Sequence, residues 1–203
     1  MEQMAINIAL IPEDKVKDLS ISLNKDLVDK GSKLILGNNA VPHITLLQGV
    51  LDQEQINIIG SILESEAQEY GKMSLIIDGF YFGPMSKAIW LNVKKDNNID
   101  SLHRKIIDLV EPYLYYNVDK SMFADPNEIE DVFIKWVQDF ISKSSLDDYK
   151  PHITLGFGKL EDIANKVNFP IEFKASKLAM YQLGKYCTCS KEILSYDLYL
   201  FSL

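Results

Sequence analysis

The tetrapeptide His-Ile-Thr-Leu occurs twice in the chain, at His43–Leu46 and at His152–Leu155, and each copy directly follows a proline (Pro42 and Pro151). Side chains of an extended strand alternate between its two faces, so the histidine and threonine of each copy project together, away from the isoleucine and leucine. The sequence therefore predicts two β-strands that each present one imidazole and one hydroxyl on a common face.

These two pairs of side chains suit acid-base chemistry on a phosphate. An unperturbed histidine has a pKa of about 6.5, and a threonine hydroxyl can donate to an anionic oxygen. If the two units face each other, one histidine can activate a nucleophile while the other protonates the leaving oxygen, with no metal. A single His-x-Thr is usually structural, but two copies with matching flanks indicate a shared site built from His43, Thr45, His152 and Thr154.

Length and composition are those of an ordinary soluble globular protein, with 203 residues, 47% hydrophobic and 25% charged. The segment from Met1 to Ile11 carries the acidic Glu2 and no basic n-region, and no apolar run is as long as a membrane span. We expect a cytoplasmic protein with no membrane partner.

The formal net charge of -8 argues against broad capture of duplex DNA or long single-stranded nucleic acid, which depends on many basic contacts to phosphates. A small nucleotide or the end of an RNA remains compatible with this charge. Arg104 is the only arginine, so a phosphate site must depend mainly on lysines, hydroxyls, backbone amides and histidines.

The two cysteines, Cys187 and Cys189, fall on one face of a strand. Two thiolates are too few for a four-ligand zinc site, and the third histidine, His103, is far away in sequence. We expect reduced thiols packed near a strand end, with a redox or metal role as the alternative. No metal or cofactor is expected.

The order of predicted elements repeats weakly, because each half contains a motif strand, then a helix, then a pair of strands. This order predicts an α+β fold with two similar lobes and a cleft between them, formed by residues 1–203 as a single domain. The predicted strands are 5–11, 41–50, 73–82, 88–93, 152–158, 171–183 and 193–201. The predicted helices are about 13–29, 52–70 with a capping box of Asp52 and Gln55, 101–114, 126–141 and 161–167.

Three predictions concern polar or aromatic residues within these elements. Asn7 is the one polar residue of the first strand, where it either lines a pocket or is a hydrogen-bonded strand residue. His103 lies beside the apolar stripe of its helix, so we expect it at the surface or at the boundary of the core. The stripe from Ile129 to Ile141 has a 3.6-residue period and predicts a core face, although its aromatic residues also suit base stacking.

The pattern resembles the 2H phosphoesterase superfamily, in particular the bacterial branch described as 2′-5′ RNA ligase-like or cyclic phosphodiesterase-like. The resemblance rests on 42–46, Pro-His-Ile-Thr-Leu, and 149–155, Tyr-Lys-Pro-His-Ile-Thr-Leu, with support from Ala-Ile-Trp-Leu at 88–91 and the late strand pair around 177–200. It spans nearly the whole chain. It implies a bilobed fold with a pseudo-twofold axis through the cleft and one His-x-Thr unit from each lobe.

The resemblance also implies an enzyme that acts on RNA-type phosphates without a metal. His43 and His152 would be the acid-base pair, with the role of each unassigned, and Thr45 and Thr154 would donate to phosphate oxygens. Further predicted substrate-binding residues are Lys150, Tyr149 and Gly156, and Phe157 and Tyr181 are candidate stacking surfaces. Gly156 is placed on the cleft face by alternation, where the first motif has Leu47.

The leading functional hypothesis is hydrolysis of a 2′,3′-cyclic nucleotide or of an RNA end that carries a cyclic phosphate. One alternative is a 2′-5′ phosphodiesterase or RNA ligase that acts on oligonucleotides. Another is a nucleotide-binding regulatory module with little turnover. In each case the expected ligand is a small nucleotide or RNA end, and the expected state of the protein is a monomer.

Overall fold

The computed structural model describes residues 3–83 and 87–199, and within them it has mixed strands and helices in the predicted order. The strands are β1 (Gln3–Pro12), β2 (Ile44–Asp52), β3 (Ser74–Phe82), β4 (Ala88–Val93), β5 (His152–Phe157), β6 (Ile171–Leu183) and β7 (Cys189–Asp197). The α-helices are α1 (Asp14–Val28), α2 (Ile56–Tyr70), α3 (Asn97–Val110), α4 (Asp131–Gln138) and α5 (Phe140–Ser144). The predicted α+β class is confirmed.

The strands of the described chain form one seven-stranded antiparallel sheet in the order β2-β1-β6-β3-β4-β5, with β7 added to β6. The long strand β6 belongs to two lobes, because residues 171–174 pair with β3 and residues 175–182 pair with β1. We call β2, β1, β7 and the second part of β6 the first lobe, and the first part of β6 with β3, β4 and β5 the second lobe.

The two motif strands lie at opposite ends of this strand order, yet β2 and β5 contact each other. The sheet therefore curls until its two edges meet. The helices exchange partners between the lobes, since α1 follows β1 but packs against β5, and α3 follows β4 but packs against β2. Buried side chains of both lobes join in one hydrophobic cluster that includes Ile8, Leu46, Leu91, Ile106 and Leu155, so the motif strands are anchored in a common core.

Two helix starts depend on aspartates. The predicted capping box of Asp52 and Gln55 is present and starts a 3₁₀ turn that leads into α2. α3 begins at Asn97, earlier than predicted, because the carboxylate of Asp96 accepts hydrogen bonds from the amides of Asn98 and Ile99 at 2.9 and 3.0 Å.

Other predicted elements need correction. The single helix expected over 126–141 is a 3₁₀ turn at Pro126–Glu128 followed by α4 and α5, and the helix expected near 161–167 is a pair of 3₁₀ turns. The last strand starts at Cys189 and ends at Asp197. Pro84, which follows Gly83 between the predicted strands 73–82 and 88–93, and residues 200 and 201 of the predicted strand 193–201 lie outside the described residues. Among the helices within residues 3–83 and 87–199, none has the length and apolar character needed to span a bilayer.

Candidate active site

The strand of the first motif is bulged directly after its threonine. In the pairing of β1 with β2, Thr45 lies opposite Ala9 and Leu47 lies opposite Ile8, so Leu46 is an extra residue without a register partner. Such a bulge interrupts the alternation of side chains along the strand.

The second motif has the same bulge at the equivalent place. In the pairing of β4 with β5, Thr154 lies opposite Trp90 and Gly156 lies opposite Ile89, so Leu155 is the extra residue. The two His-x-Thr units are thus equivalent in the register of their strands as well as in sequence.

The bulges correct the prediction for Gly156. Past each bulge the side-chain faces are exchanged, so the residues that line the cleft are Gln48 and Phe157 rather than Leu47 and Gly156. Gly156 has φ +149°, and a Cβ there would lie 2.9 Å from Oγ of Ser32. The lack of a side chain at Gly156 therefore leaves room for the segment after α1, and the glycine is not on the cavity side of the strand.

Both motif histidines are held in the same way. Nδ1 of His43 lies 2.7 Å from the carbonyl oxygen of Val41, and Nδ1 of His152 lies 2.7 Å from that of Lys150. A carbonyl oxygen only accepts, so each Nδ1 carries the proton that it donates, and in the neutral ring Nε2 is left with a free lone pair. Each ring is thereby oriented by the backbone two residues before it, with Nε2 left to accept a proton.

The two units open into one cavity of about 610 Å³, a volume typical of sites for small molecules. His43, Thr45, His152 and Thr154 all line it. The remaining lining comes mainly from α4, α5, the segment before His152 and the turn before β7: Leu34, Leu36, Gln48, Ala88, Trp90, Val132, Lys135, Trp136, Asp139, Phe140, Lys143, Ser144, Asp148, Tyr149, Lys150, Phe157, Tyr186, Cys187 and Thr188.

Burial favours the neutral form of both histidines. Desolvation lowers the pKa of His43 from its ordinary value, and the hydrogen bond to Val41 opposes this in part. The pKa of His152 falls to about 4, first through desolvation, while its hydrogen bond to Lys150 raises it and the charge of His43 lowers it further. The repulsion between the two rings means that a proton on one disfavours a proton on the other, as an acid-base pair requires.

Comparison with protein families identifies this arrangement. Residues 25–186, well over half of the chain, match the family model described as the 2′-5′ RNA ligase superfamily. The chain belongs to this superfamily. The resemblance to the 2H phosphoesterases, inferred from the two motifs, is confirmed. No curated protein sequence matches the chain.

Solved structures share the fold at low sequence identity. TT0787 of Thermus thermophilus is 14% identical over 96% of this chain and 98% of its own, with a TM-score of 0.60. LigT of E. coli in its apo form is 12% identical over 98% of this chain and 100% of its own, with a TM-score of 0.53. A structure titled phosphoesterase is also 12% identical over 98% of this chain and 100% of its own, with a TM-score of 0.54. At these identities the similarity establishes the fold alone.

Aromatic stacking distinguishes the two lobes of this superfamily member. The ring of His152 lies 4.0 Å from that of Trp90, which stacks on Tyr81 at 4.6 Å. The register equivalent of Trp90 in the first lobe is Ala9, opposite Thr45. The second histidine therefore has an aromatic neighbour where the first has only a methyl group, and the bulky tryptophan in the quoted Ala-Ile-Trp-Leu sequence was the signal for this asymmetry.

Asn7, on the neighbouring strand β1, contacts the threonine of the first motif. It is fully buried, is not part of the cavity lining, and donates from Nδ2 to Oγ1 of Thr45 at 3.0 Å. This contact fills one acceptor position of the hydroxyl and leaves its proton free to point elsewhere. Asn7 is thus the hydrogen-bonded strand residue of the two alternatives, and it orients a site threonine.

Tyr149 and Lys150 both line the cavity, with different freedom. Tyr149 is buried, its hydroxyl donates to the carbonyl oxygen of Thr45 at 3.1 Å, and its ring stacks on His103 at 3.7 Å. One face of that ring is thereby covered. Lys150 is exposed at the cavity edge. Tyr181, the other candidate stacking surface, is outside the cavity lining and donates to Glu192 at 2.8 Å.

The prediction that His103 lies at the surface or boundary is wrong. The side chain is fully buried, with Nδ1 2.8 Å from the carbonyl oxygen of Leu46 and Nε2 accepting from the amide of Leu146 at 2.8 Å. The two hydrogen bonds satisfy both ring nitrogens, which is what allows a histidine to occupy the apolar side of the helix.

The predicted core face of 129–141 is correct only in part. Phe133 and Val137 are buried, but Val132 and Trp136 are 44% and 41% exposed and line the cavity. Phe133 contacts both Trp136 and Tyr186 at centroid distances of 5.4 and 5.1 Å. This helix thus gives one side to the core and one side to an aromatic wall of the cavity, which Phe157 extends through its contact with Tyr186 at 5.2 Å.

Charged side chains of α4 and α5 lie at the rim. Lys135 and Lys143 contact the same carboxylate oxygen of Asp139 at 3.1 and 2.7 Å, and these contacts hold the pKa of Asp139 below its ordinary value. With Lys150 and Asp148, the lining carries three lysines and two aspartates. The cavity is therefore slightly positive in a chain whose net charge is -8.

The two cysteines are free thiols. Cys187 is buried at the cavity wall with its Sγ 3.5 Å from the carbonyl oxygen of Phe133, and Cys189 is fully buried beside Asn7. Burial raises the pKa of Cys187 to about 12 and that of Cys189 also well above normal, which suppresses the reactive thiolate. Across 3–83 and 87–199, no three His, Cys, Asp or Glu side chains group as metal ligands would.

Proposed function

We propose that the protein is a phosphoesterase that hydrolyses 2′,3′-cyclic nucleotides or RNA ends bearing a cyclic phosphate, through acid-base catalysis by His43 and His152. The observation that carries this proposal is the equivalence of the two His-x-Thr units, each with its imidazole fixed through Nδ1 and both opening into one cavity. Superfamily membership supports a phosphoesterase or ligase activity.

In the proposed reaction, Nε2 of one neutral histidine accepts a proton from water as the water oxygen attacks phosphorus. The bond from phosphorus to one ribose oxygen breaks, and the second histidine, protonated at Nε2, donates its proton to that leaving oxygen. The hydroxyls of Thr45 and Thr154 donate to the non-bridging phosphate oxygens. Both proton transfers are supplied by side chains of this chain, so the mechanism needs no metal.

The lining of the cavity supports a nucleotide as the ligand. The aromatic wall that includes Trp136, Phe157 and Tyr186 offers apolar rings against which a base can stack, and Lys150 offers positive charge for a phosphate. E. coli LigT, which shares the fold, has been crystallised with 3′-AMP, ATP and NADP+. We propose a small nucleotide or RNA end as substrate, with no role for duplex DNA.

We further propose that one chain, folded as a single bilobed domain, is the catalytic unit. Strand β6 belongs to both lobes, and both histidines line the same cavity of one chain. A monomer therefore has both members of the acid-base pair.

A second candidate is a 2′-5′ phosphodiesterase or RNA ligase that acts on oligonucleotides. It is favoured by the superfamily description and by the exposed Lys150 at the cavity edge, whose positive charge suits a second phosphate. The same histidines and threonines would carry either reaction.

The first test incubates the purified protein with each 2′,3′-cyclic nucleotide in EDTA and separates the 2′- and 3′-phosphate products by chromatography. One product isomer supports the proposal and shows which bond breaks. Saturable binding without product from cyclic or 2′-5′-linked substrates would overturn it in favour of a nucleotide-binding module.

The aromatic wall has its own test. Trp136→Ala should raise KM for cyclic nucleotides by about tenfold, the loss expected for one stacking contact, and should leave turnover of a base-free cyclic phosphate unchanged. Leu109→Ala is a matched control, because Leu109 is a similarly exposed apolar helix residue outside the cavity lining.

A further inference from the structure

His103 connects the two motif segments through the core. It lies on α3, and its side chain bridges the carbonyl oxygen of Leu46 in β2 and the amide of Leu146 in the segment that leads to β5, at 2.8 Å each. These two backbone groups are separated by 100 residues of sequence, and each lies close to one His-x-Thr unit.

The contact on the first side is to the bulge. Leu46 is the extra residue that follows Thr45 and has no register partner in the ladder. A bulged residue loses its regular pairing, and a buried carbonyl needs another donor. Nδ1–H of His103 supplies it, so the histidine stabilises the backbone conformation in which Thr45 faces the cavity.

The contact on the second side is to the turn that delivers His152. Leu146 has φ +54°, an unfavourable conformation for a leucine that its surroundings must maintain. Its amide donates to Nε2 of His103, and Tyr149, three residues on, stacks on the same ring and donates to the carbonyl oxygen of Thr45. His103 and Tyr149 together therefore link the segment before His152 to the backbone of the first motif.

We propose that His103 is a positioning residue that fixes the segment carrying His152 relative to the bulge after Thr45, and so sets the spacing of the two catalytic histidines. This inference rests on the proposed function, since it assumes that His43 and His152 act together. His103 does not itself line the cavity.

The role requires a neutral ring, because one nitrogen donates and the other accepts. Its surroundings maintain that form: desolvation lowers the pKa of His103 to about 4, with smaller opposing effects of the Leu46 hydrogen bond and Asp100. Lys95 and Arg104 lower it further. The same two cations also contact the turn: Lys95 donates to the carbonyl oxygen of Leu146 at 2.9 Å, and Arg104 donates to the carboxylate of Asp147 at 2.6 Å.

The test compares three variants on a 2′,3′-cyclic nucleotide. His103→Phe keeps an aromatic ring against Tyr149 but loses both hydrogen bonds, and His103→Gln retains a donor and an acceptor. Ile106→Ala is the matched control, a fully buried apolar residue on the same helix whose truncation would lower stability without removing a hydrogen bond to either motif segment.

We expect His103→Phe to lower kcat by up to about 100-fold, the effect of misplacing catalytic groups by about 1 Å, with a much smaller change in KM. His103→Gln should recover part of this loss, and Ile106→Ala should retain the wild-type kcat. An unchanged kcat in folded His103→Phe, or an equal loss in Ile106→Ala, would overturn the positioning role.

Backbone amide NMR spectra give a readout that does not depend on activity. In His103→Phe, amide resonances of both 43–46 and 152–155 should shift, because both segments lose the same anchor. Shifts confined to α3 would overturn the inference even in an active enzyme. If the wild-type protein turns over no substrate, coupled shifts of both segments would still support the positioning role, so the failure of the proposed function is distinguishable.

Discussion

Acidification should destabilise the protein through His103, which is buried as a neutral imidazole. Its pKa is lowered from 6.5 to about 4 in the folded chain, chiefly by desolvation. Between these values the unfolded chain binds a proton that the folded chain does not, so this contribution to stability is complete above about pH 6.5 and is lost as the pH falls towards 4. Since each pKa unit corresponds to about 1.4 kcal/mol, acidification from about pH 7 to 4.5 should cost about 2 kcal/mol from this residue.

The perturbation that isolates this residue is His103→Gln, since glutamine does not titrate. His43 and His152 also have lowered pKa values and destabilise the folded chain on acidification, but they are present in both proteins. The free energy of unfolding is measured by urea denaturation at both pH values, followed by far-UV circular dichroism. The variant should be less stable than wild type at neutral pH, and the gap should narrow by about 2 kcal/mol at about pH 4.5.

An unchanged gap would refute the reasoning, because it would mean that His103 takes up the same number of protons in the folded and unfolded states. A difference in stability between wild type and variant that widens on acidification would mean that the pKa of His103 is higher in the folded chain than in the unfolded chain. That result would contradict the assignment of Nε2 as an acceptor from the amide of Leu146.

Three further predictions concern the site and its bulges. Burial lowers the pKa of both motif histidines, so the enzyme with one protonated histidine becomes more abundant as the pH falls. We therefore expect kcat/KM to increase when it is measured from about pH 8 down to 5.5. A flat profile would contradict this. Asn7→Leu should lower kcat up to about tenfold in steady-state assays, the value of one lost hydrogen bond to Thr45, and unchanged kinetics would contradict its orienting role. Gly156→Ala should lower the free energy of unfolding by about 1–3 kcal/mol, since its Cβ would meet Ser32 at a strained φ. Gly79→Ala is the control and should cost far less, because a Cβ there has open space and φ is not in the strained region. Equal losses of both variants in urea denaturation would contradict the bulge geometry.

The sequence predicted the parts of the fold that depend on local pattern. Strand β4 has its predicted bounds, Ala88–Val93, and the capping box of Asp52 and Gln55 forms as expected. The repeated motif predicted the pair of equivalent strands, because the same residues in the same order have the same alternation of side chains.

The bulges could not be predicted, because alternation along a strand assumes an unbroken ladder. A single extra residue, Leu46 or Leu155, moves every later side chain to the opposite face. Simple alternation therefore predicts Gly156 on the cavity side and does not reveal that Gln48 and Phe157 are the equivalent pair that lines the cavity.

Long-range contacts explain the remaining differences. The sequence predicts His103 at the surface or boundary because it lies beside the apolar stripe of its helix. Its two hydrogen-bond partners come from β2 and from the segment before β5, which the local pattern of the helix does not reveal. In α4 the apolar stripe is real, but part of it faces a cavity, since Val132 and Trp136 line the cavity together with the motif histidines. Period alone does not distinguish a core from the wall of a site.

The central claim, that His43 and His152 act as one acid-base pair, is tested most directly by turnover of a 2′,3′-cyclic nucleotide in His43→Ala, His152→Ala and the double variant. Each single variant should remain folded and lose at least about 10²-fold in kcat. The double variant should be little worse than either single variant, because groups that act as a unit are not additive. Turnover close to wild type in either folded single variant would contradict the account.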